Sequence, residues 1–183
     1  MDFDKVLTIL AKEFSEEKVR YALIGGFAMG ALGIVRSTMD LDFLIDVNDL
    51  PKADAILKKY DYTCVFKSEN VSQYVSRINT MGEIDFLHAF RKPSLSMIDR
   101  AKDLAVFDRK LSIRIVSPED IIGLKLQALV NDATRKNREY ADIEAIAGHY
   151  REKLDWDLIK DYFVLFGQEE QFGILKETHA TVE

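Results

Sequence analysis

The chain has 183 residues, of which 25 are Lys or Arg and 31 are Asp or Glu, so its formal charge is −6. With 48% hydrophobic and 31% charged residues it has the composition of a globular protein, which excludes a disordered, collagenous or coiled-coil chain as a whole. A single cysteine, Cys64, excludes an intrachain disulfide and a cysteine zinc cluster, and we expect a reducing, cytoplasmic location. No apolar run approaches the roughly 20 residues of a membrane span, and the N-terminus lacks the layout of a signal peptide, so we expect no membrane partner.

Helical and strand patterns alternate over the first 116 residues. Apolar spacing predicts an amphipathic helix over 2–18 and a short helix over 27–33, and Pro51 indicates the start of a helix that ends near Tyr60. Short apolar or alternating segments predict strands at 21–24, 39–46, 62–66, 74–78, 84–90, 104–107 and 111–116. We therefore expect an α/β region over 1–116.

From residue 117 onward the pattern becomes helical. Ser117 is a capping residue, Pro118 suits the first helical turn, and the two acids that follow favour the positive end of the helix dipole. Helices are predicted over 118–131, 137–149 and 155–166, and the residues from about 177 are expected to fray. The second predicted region is thus helical and covers 117–183.

Carboxylates interrupt two of the predicted apolar strands. Asp40 and Asp42 alternate along one strand, so both side chains project from the same face. Two adjacent carboxylates repel each other unless a cation neutralises them, and Mg²⁺ commonly takes carboxylates together with substrate phosphates. If the strand that carries Asp85 lies beside the first, it completes a triad that could hold two metal ions for phosphate chemistry.

A glycine turn and a polar segment precede the Asp40 strand. Gly25-Gly26 ends the first strand, where backbone N–H groups can approach a phosphate closely. Arg36, Ser37 and Thr38 then supply a cation and two hydroxyls that suit triphosphate oxygens.

The helical half adds a lysine and an aspartate. Lys125 has apolar neighbours at three and four residues on either side, so it emerges from the apolar face of its helix. Its ammonium either reaches water beyond the core or points to a nucleotide phosphate. Asp142, one helix later, could pair with Lys125 or Arg135, or contact a ligand.

Residues 91–114 carry seven Lys or Arg against three Asp, in a chain that is acidic overall. This segment is either ordinary solvated surface or a basic patch that faces an anionic ligand.

Taken together, Gly25-Gly26, Arg36-Ser-Thr38-Met-Asp40-Leu-Asp42 and Asp85 resemble the polymerase-β-type nucleotidyltransferase superfamily. The Ser-Pro-Glu-Asp-Ile-Ile-Gly-Leu-Lys125 helix and the Arg-rich helix with Asp142 are similar to its AbiEii-type branch, which includes toxins of toxin–antitoxin systems. The resemblance covers roughly residues 20–145. One departure is Gly26, where many active members have Ser.

The resemblance implies a mixed sheet flanked by helices, with residues 1–116 as the catalytic core and a C-terminal helical bundle that closes a cleft. It implies Mg²⁺-dependent transfer of a nucleoside monophosphate from a nucleoside triphosphate to an acceptor hydroxyl, with release of pyrophosphate. Asp40 and Asp42 would ligate two Mg²⁺ (or Mn²⁺) ions, and Asp85 would ligate one of them and help to remove the acceptor proton. Phosphates would be held by Gly25, Gly26, Arg36 and Thr38, and Lys125 would offset their charge.

Several alternatives remain open at this stage. The acceptor is a tRNA 3′ end, an antibiotic hydroxyl or a protein side chain, and a cognate antitoxin is a candidate partner. The residues do not identify the base of the nucleotide. A nucleotide-binding or regulatory module without turnover is the second hypothesis, and a structural α/β domain with accidental paired acids is the third.

Overall fold

The computed structural model describes residues 1–180. The chain divides into two compact units, Met1–Val116 and a second unit that begins at Ser117. The helices of the first unit are α1 (Phe3–Glu16), α2 (Gly25–Ala31), α3 (Leu50–Lys59) and α4 (Lys92–Arg100). Its strands are β1 (Tyr21–Ile24), β2 (Asp40–Asp46), β3 (Tyr62–Lys67), β4 (Val71–Ser76), β5 (Glu83–Ala89), β6 (Lys102–Val106) and β7 (Leu111–Ile115).

The seven strands form one mixed sheet in the order β3-β4-β5-β2-β1-β7-β6. The β2–β5 and β1–β7 pairs are parallel, and the other neighbours are antiparallel. The predicted mixed α/β fold is therefore confirmed. The order makes β2 and β5 direct neighbours although two strands separate them in the chain.

Part of the core of the first unit lies between the sheet and α1. One face of α1 is fully buried and consists of Val6, Leu7, Leu10 and Phe14. Phe14 packs edge-on against the rings of Tyr21 and Phe43, on two adjacent strands. This packing of an amphipathic helix on β1 and β2 fixes the strands that carry the candidate site.

The helices of the second unit are α5 (Pro118–Asn131), α6 (Lys136–Tyr150), α7 (Trp156–Leu165) and α8 (Glu169–His179). As the capping pattern predicts, Oγ of Ser117 accepts a hydrogen bond from the backbone N–H of Asp120 at 3.2 Å. The Asp120 carboxylate is completely buried and accepts a hydrogen bond from the hydroxyl of Tyr162 at 2.6 Å, which joins α5 to α7. None of the helices between residues 1 and 180 is long and apolar enough to cross a bilayer.

Two helices differ from the sequence expectations. Helix α4 was not predicted, because its nine residues include Pro93 and bury only Met97 and Ile98, which leaves little apolar periodicity. Fraying was expected from about residue 177, but α8 continues to His179. The expectation is therefore wrong for residues 177–179. Leu175 of α8 is buried, and burial of this kind favours an ordered helix. The rest of that prediction, over 181–183, lies outside the described residues.

Candidate active site

The three predicted carboxylates meet on adjacent parallel strands. Asp42 of β2 lies directly opposite Asp85 of β5 in the register, and Asp40 lies two residues before Asp42 on the same face. All three side chains are half-buried, and each offers an oxygen within 4.8 Å of the other two. The structure thus brings together the residues that the sequence analysis proposed as a triad.

The donor set fits a hard divalent cation. Mg²⁺ prefers oxygen ligands at about 2.0–2.1 Å, so opposite ligands of one ion are about 4 Å apart. One oxygen each of Asp40, Asp42 and Asp85 lies within 4.8 Å of the other two, which is close to that spacing. Three carboxylates would repel each other strongly without such neutralisation.

Asp85 has a distinct electrostatic environment. Burial raises the pKa of its carboxyl, and the nearby negative charges of Asp40 and Glu83 raise it further. A hydrogen bond of 3.1 Å from the side-chain N–H of Gln73 to Oδ2 of Asp85 acts in the opposite direction. Gln73 was not among the predicted site residues, because its position opposite Asp85 depends on the β4–β5 register.

The glycine turn is packed directly against the triad. Gly25 has a φ of +70°, and a Cβ at this position would stand 1.9 Å from Oδ2 of Asp42. A Cβ on Gly26 would stand 2.7 Å from the Cβ of Thr38. Only glycine lets the chain turn from β1 into α2 at this distance from Asp42.

The polar segment before β2 lies beside Asp40. The Thr38 hydroxyl donates a hydrogen bond of 2.6 Å to Oδ1 of Asp40. Arg36 and Thr38 are half-buried, and Ser37 is exposed. Their predicted contacts with a triphosphate stay predictions.

In the second unit, Lys125 and Asp142 form an ion pair. The ammonium of Lys125 donates to Oδ2 of Asp142 at 2.6 Å and lies 2.8 Å from Oε2 of Glu139. The other oxygen of Glu139 accepts from Nε of Arg135 at 2.9 Å. The structure shows the predicted pairing of Asp142 with Lys125, and the predicted contact of Asp142 with a nucleotide stays a prediction.

Sequence reasoning did not single out Glu139. Its only local signal is the four-residue spacing from Arg135, which is typical of an ion pair on a helix surface. The contact with Lys125 depends on the packing of α5 against α6, which no local pattern reveals.

The basic segment 91–114 contains one structural residue and six exposed ones. Arg114 donates to the backbone carbonyls of Ile98 and Ala101, both at 3.0 Å, so it stabilises the end of α4. The exposed members are Arg91, Lys92, Arg100, Lys102, Arg109 and Lys110.

Comparison with known proteins gives one family match. The family model described as nucleotidyl transferase AbiEii toxin of a type IV toxin–antitoxin system matches residues 59–181, more than half of the chain. That range contains Asp85, Lys125 and Asp142, while Gly25 to Asp42 precede it. No curated protein matches the sequence.

Several solved structures share the fold. The solution structure of the antibiotic-resistance factor ANT(2'')-Ia has a TM-score of 0.66 at 14% identity, with 98% of each chain covered. A nucleotidyltransferase-like protein from Paracoccidioides brasiliensis has a TM-score of 0.60 at 15% identity, with 99% of this chain and 94% of that chain covered. Lincomycin-bound LnuA, a lincosamide antibiotic adenylyltransferase, has a TM-score of 0.55 at 16% identity, with 78% of this chain and 95% of that chain covered. The predicted fold and the predicted family are confirmed.

Proposed function

The chain belongs to the AbiEii nucleotidyl transferase family, and from this premise we propose that it transfers a nucleoside monophosphate from a nucleoside triphosphate to an acceptor hydroxyl. The reaction is proposed to require Mg²⁺, or Mn²⁺ in its place, and to release pyrophosphate. The observation that carries the proposal is the carboxylate triad, whose three oxygens lie within 4.8 Å of one another.

The triad would hold the metal and prepare the acceptor. Asp40 and Asp42 would be shared ligands of two ions, and Asp85 would complete one of the two sites. The bound ions would supply charge neutralisation at the phosphates and activation of the acceptor oxygen.

In the proposed step, the acceptor oxygen forms a bond to the α-phosphorus while its proton passes to Asp85. The bond from the α-phosphorus to the bridging oxygen breaks in line, and pyrophosphate leaves with that electron pair. Positioning and electrostatic stabilisation supply most of the catalysis in such transfers.

Several of the predicted residues would hold the nucleotide. Gly25, Gly26, Arg36 and Ser37 would bind the phosphates through backbone N–H groups, a guanidinium and a hydroxyl. Lys125 has three N–H donors. One is directed to Oδ2 of Asp142, and the ammonium also lies 2.8 Å from Oε2 of Glu139. A remaining N–H would offset phosphate charge, while Asp142 holds the ammonium in place.

We propose a tRNA 3′ end as the acceptor. Six exposed Lys or Arg residues between 91 and 110 provide positive charge for an RNA backbone. An antibiotic hydroxyl and a protein side chain are the competing outcomes of the acceptor test. The type IV toxin–antitoxin description of the family suggests an antitoxin as a protein partner.

The deciding experiment measures nucleotide transfer with each α-labelled nucleoside triphosphate, with and without Mg²⁺. The acceptors are tRNA, an aminoglycoside and a lincosamide, and self-labelling of the protein reports a side-chain acceptor. We expect Mg²⁺-dependent labelling that Asp42→Asn reduces by at least about 100-fold, as expected for a metal ligand needed in the chemical step.

The matched control is Asp61→Asn. Asp61 is an exposed residue of the same unit with a φ of 60°, a conformation that Asn adopts readily. Full transfer by folded Asp42→Asn contradicts the proposal. Binding of a triphosphate without release of pyrophosphate supports the hypothesis of a regulatory module without turnover. If no triphosphate binds, the hypothesis of a structural α/β domain is supported.

A further inference from the structure

We infer that Thr38 is a positioning residue that holds Asp40 in place for metal binding. We also infer that Gly26, which has no side chain, leaves the room that Thr38 needs for this contact. The inference rests on the proposed function and gives Thr38 a role different from the phosphate contact expected from sequence. Two independent observations carry it, one on the hydroxyl of Thr38 and one on its Cβ.

The first observation is the hydrogen bond between Thr38 and Asp40. The Thr38 hydroxyl lies 2.6 Å from Oδ1 of Asp40, whereas the backbone carbonyl oxygen of Asp40 is 3.3 Å away. A hydroxyl has one hydrogen to donate, and phosphate oxygens at neutral pH are acceptors. While that hydrogen is directed to Asp40, the hydroxyl cannot also donate to a triphosphate.

The same bond leaves Asp40 able to bind a metal. A carboxylate has two oxygens with lone pairs, so Oδ2 remains available when Oδ1 accepts from Thr38. Groups that hydrogen-bond to a metal ligand fix its orientation, and their loss typically lowers metal affinity 10–100-fold. Thr38 is two residues before Asp40, and both residues are half-buried.

The second observation concerns the space above Gly26. A Cβ on residue 26 would stand 2.7 Å from the Cβ and 2.9 Å from Oγ1 of Thr38. Rotation about χ1 does not move the Cβ of Thr38, because this atom is bonded directly to the backbone. Any larger residue at position 26 would therefore push the segment around Thr38 away, and with it the hydroxyl that contacts Asp40.

Metal affinity of the nucleotide-free protein tests the role of the hydroxyl. Mn²⁺ alone is titrated into the wild type, Thr38→Val and Thr38→Ser, with free Mn²⁺ followed by electron paramagnetic resonance. We expect Thr38→Val to bind Mn²⁺ about tenfold or more weakly and Thr38→Ser to bind almost as the wild type does. In steady-state kinetics, kcat should fall in Thr38→Val while KM for the triphosphate changes little, whereas loss of a phosphate contact would raise KM.

Thr134→Val is the matched control. Thr134 makes the same kind of bond, from its hydroxyl to Oδ1 of an Asp two residues earlier at 2.6 Å, far from β2 in the sequence. Its removal should leave Mn²⁺ affinity unchanged. Thr38→Val that binds Mn²⁺ as tightly as the wild type overturns the inference. Mn²⁺ binding that is absent, or that survives in Asp42→Asn, overturns the proposed metal site as well.

Thermal unfolding of the metal-free protein tests the packing separately. Gly26 is in helix α2 without a positive φ, where Ala is favoured over Gly unless its Cβ is obstructed. We expect Gly26→Ala to lower the Tm in the wild type and to raise it in a Thr38→Gly background, where the obstructing Cβ is absent.

Gly30→Ala is the control for this change of sign. Gly30 is in the same helix, and a Cβ there would meet nothing within 4 Å, so the Tm should rise in both backgrounds. A Gly26→Ala substitution that raises the Tm of the wild type contradicts the inference.

Discussion

The ammonium of Lys125 lies 2.8 Å from Oε2 of Glu139, and the Glu139 side chain has no exposed surface. A buried carboxylate is stable only when cations and hydrogen bonds replace its lost hydration. Here the ammonium of Lys125 lies beside one oxygen of Glu139, and the guanidinium of Arg135 donates a hydrogen bond to the other. Lys125 therefore stabilises the contact of α5 with α6, in addition to its proposed role toward a nucleotide.

Removal of Lys125 should destabilise the protein strongly. Lys125→Met leaves Glu139 with one cation instead of two, and breaking a buried pair costs about 3–5 kcal/mol. Lys58→Met is the control, since Lys58 forms an ion pair of 2.7 Å with Asp54 while its own side chain is 66% exposed. Solvent screens an exposed pair, so its loss should change the stability little. Urea unfolding measures the free energy of unfolding of both variants. Equal losses in the two would show that Lys125 does not stabilise the buried carboxylate of Glu139.

Local patterns were sufficient for the parts of the site that lie on one element. Strand alternation places Asp40 and Asp42 on one face, and the Gly25-Gly26 pair follows β1 as predicted. The Ser117 cap of α5 is likewise encoded within four residues. These features depend only on neighbours in the sequence.

Features that depend on contacts between elements could not be predicted to the same extent. The sequence indicated a strand around Asp85 but not that it pairs in parallel with β2, because two strands intervene in the chain. Gln73 was missed because β4 begins at Val71 and not at residue 74 as predicted. Gln73 is therefore part of the strand and pairs with Asp85 of β5. Glu139 was missed because its partner Lys125 is on another helix.

The turn before α2 should tolerate no side chain at Gly25. The φ of +70° costs a non-glycine residue about 1–2 kcal/mol, and an added Cβ would overlap Oδ2 of Asp42 at 1.9 Å. Gly25→Ala should therefore lower the free energy of unfolding by more than about 2 kcal/mol and weaken Mn²⁺ binding through Asp42. In Gly30→Ala the free energy should instead rise by about 0.5–1 kcal/mol. Equal effects of the two substitutions would contradict this account of the turn.

The hydrogen bond between Tyr162 and Asp120 should contribute measurably to the second unit. Tyr162 donates at 2.6 Å to a carboxylate with no exposed surface, and hydrogen bonds to charged groups contribute about 1.5–3 kcal/mol. Tyr162→Phe should lower the free energy of unfolding by that amount. Tyr140→Phe is the control, because Tyr140 donates at 3.1 Å to the neutral side chain of Gln168, a bond that contributes about 0.5–1.5 kcal/mol. A smaller loss in Tyr162→Phe than in Tyr140→Phe would refute the prediction.

His88 should make the stability of the protein depend on pH. Its ring is buried, with Nδ1 at 2.8 Å from the backbone carbonyl of Glu69 and Nε2 at 3.0 Å from the hydroxyl of Ser72. The carbonyl requires a proton on Nδ1, so Nε2 of the neutral ring accepts from Ser72. Burial lowers the pKa of His88 below its ordinary value of 6.5, and the positive charge of Lys67 lowers it further.

The direction of the pH effect follows from this lowered pKa. Below pH 6.5 the unfolded chain binds a proton at His88 that the folded protein does not bind, so the folded state loses stability as the pH falls. The stability is fully present above the unfolded pKa and decreases until the pH passes the folded pKa. Urea unfolding at pH 7.5 and at pH 5.0 should therefore show a larger difference in the wild type than in His88→Gln. The control is His149→Gln, at an exposed histidine, which should retain the wild-type difference in stability between the two pH values. If His88→Gln also retains that difference, the buried ring accepts a proton without cost.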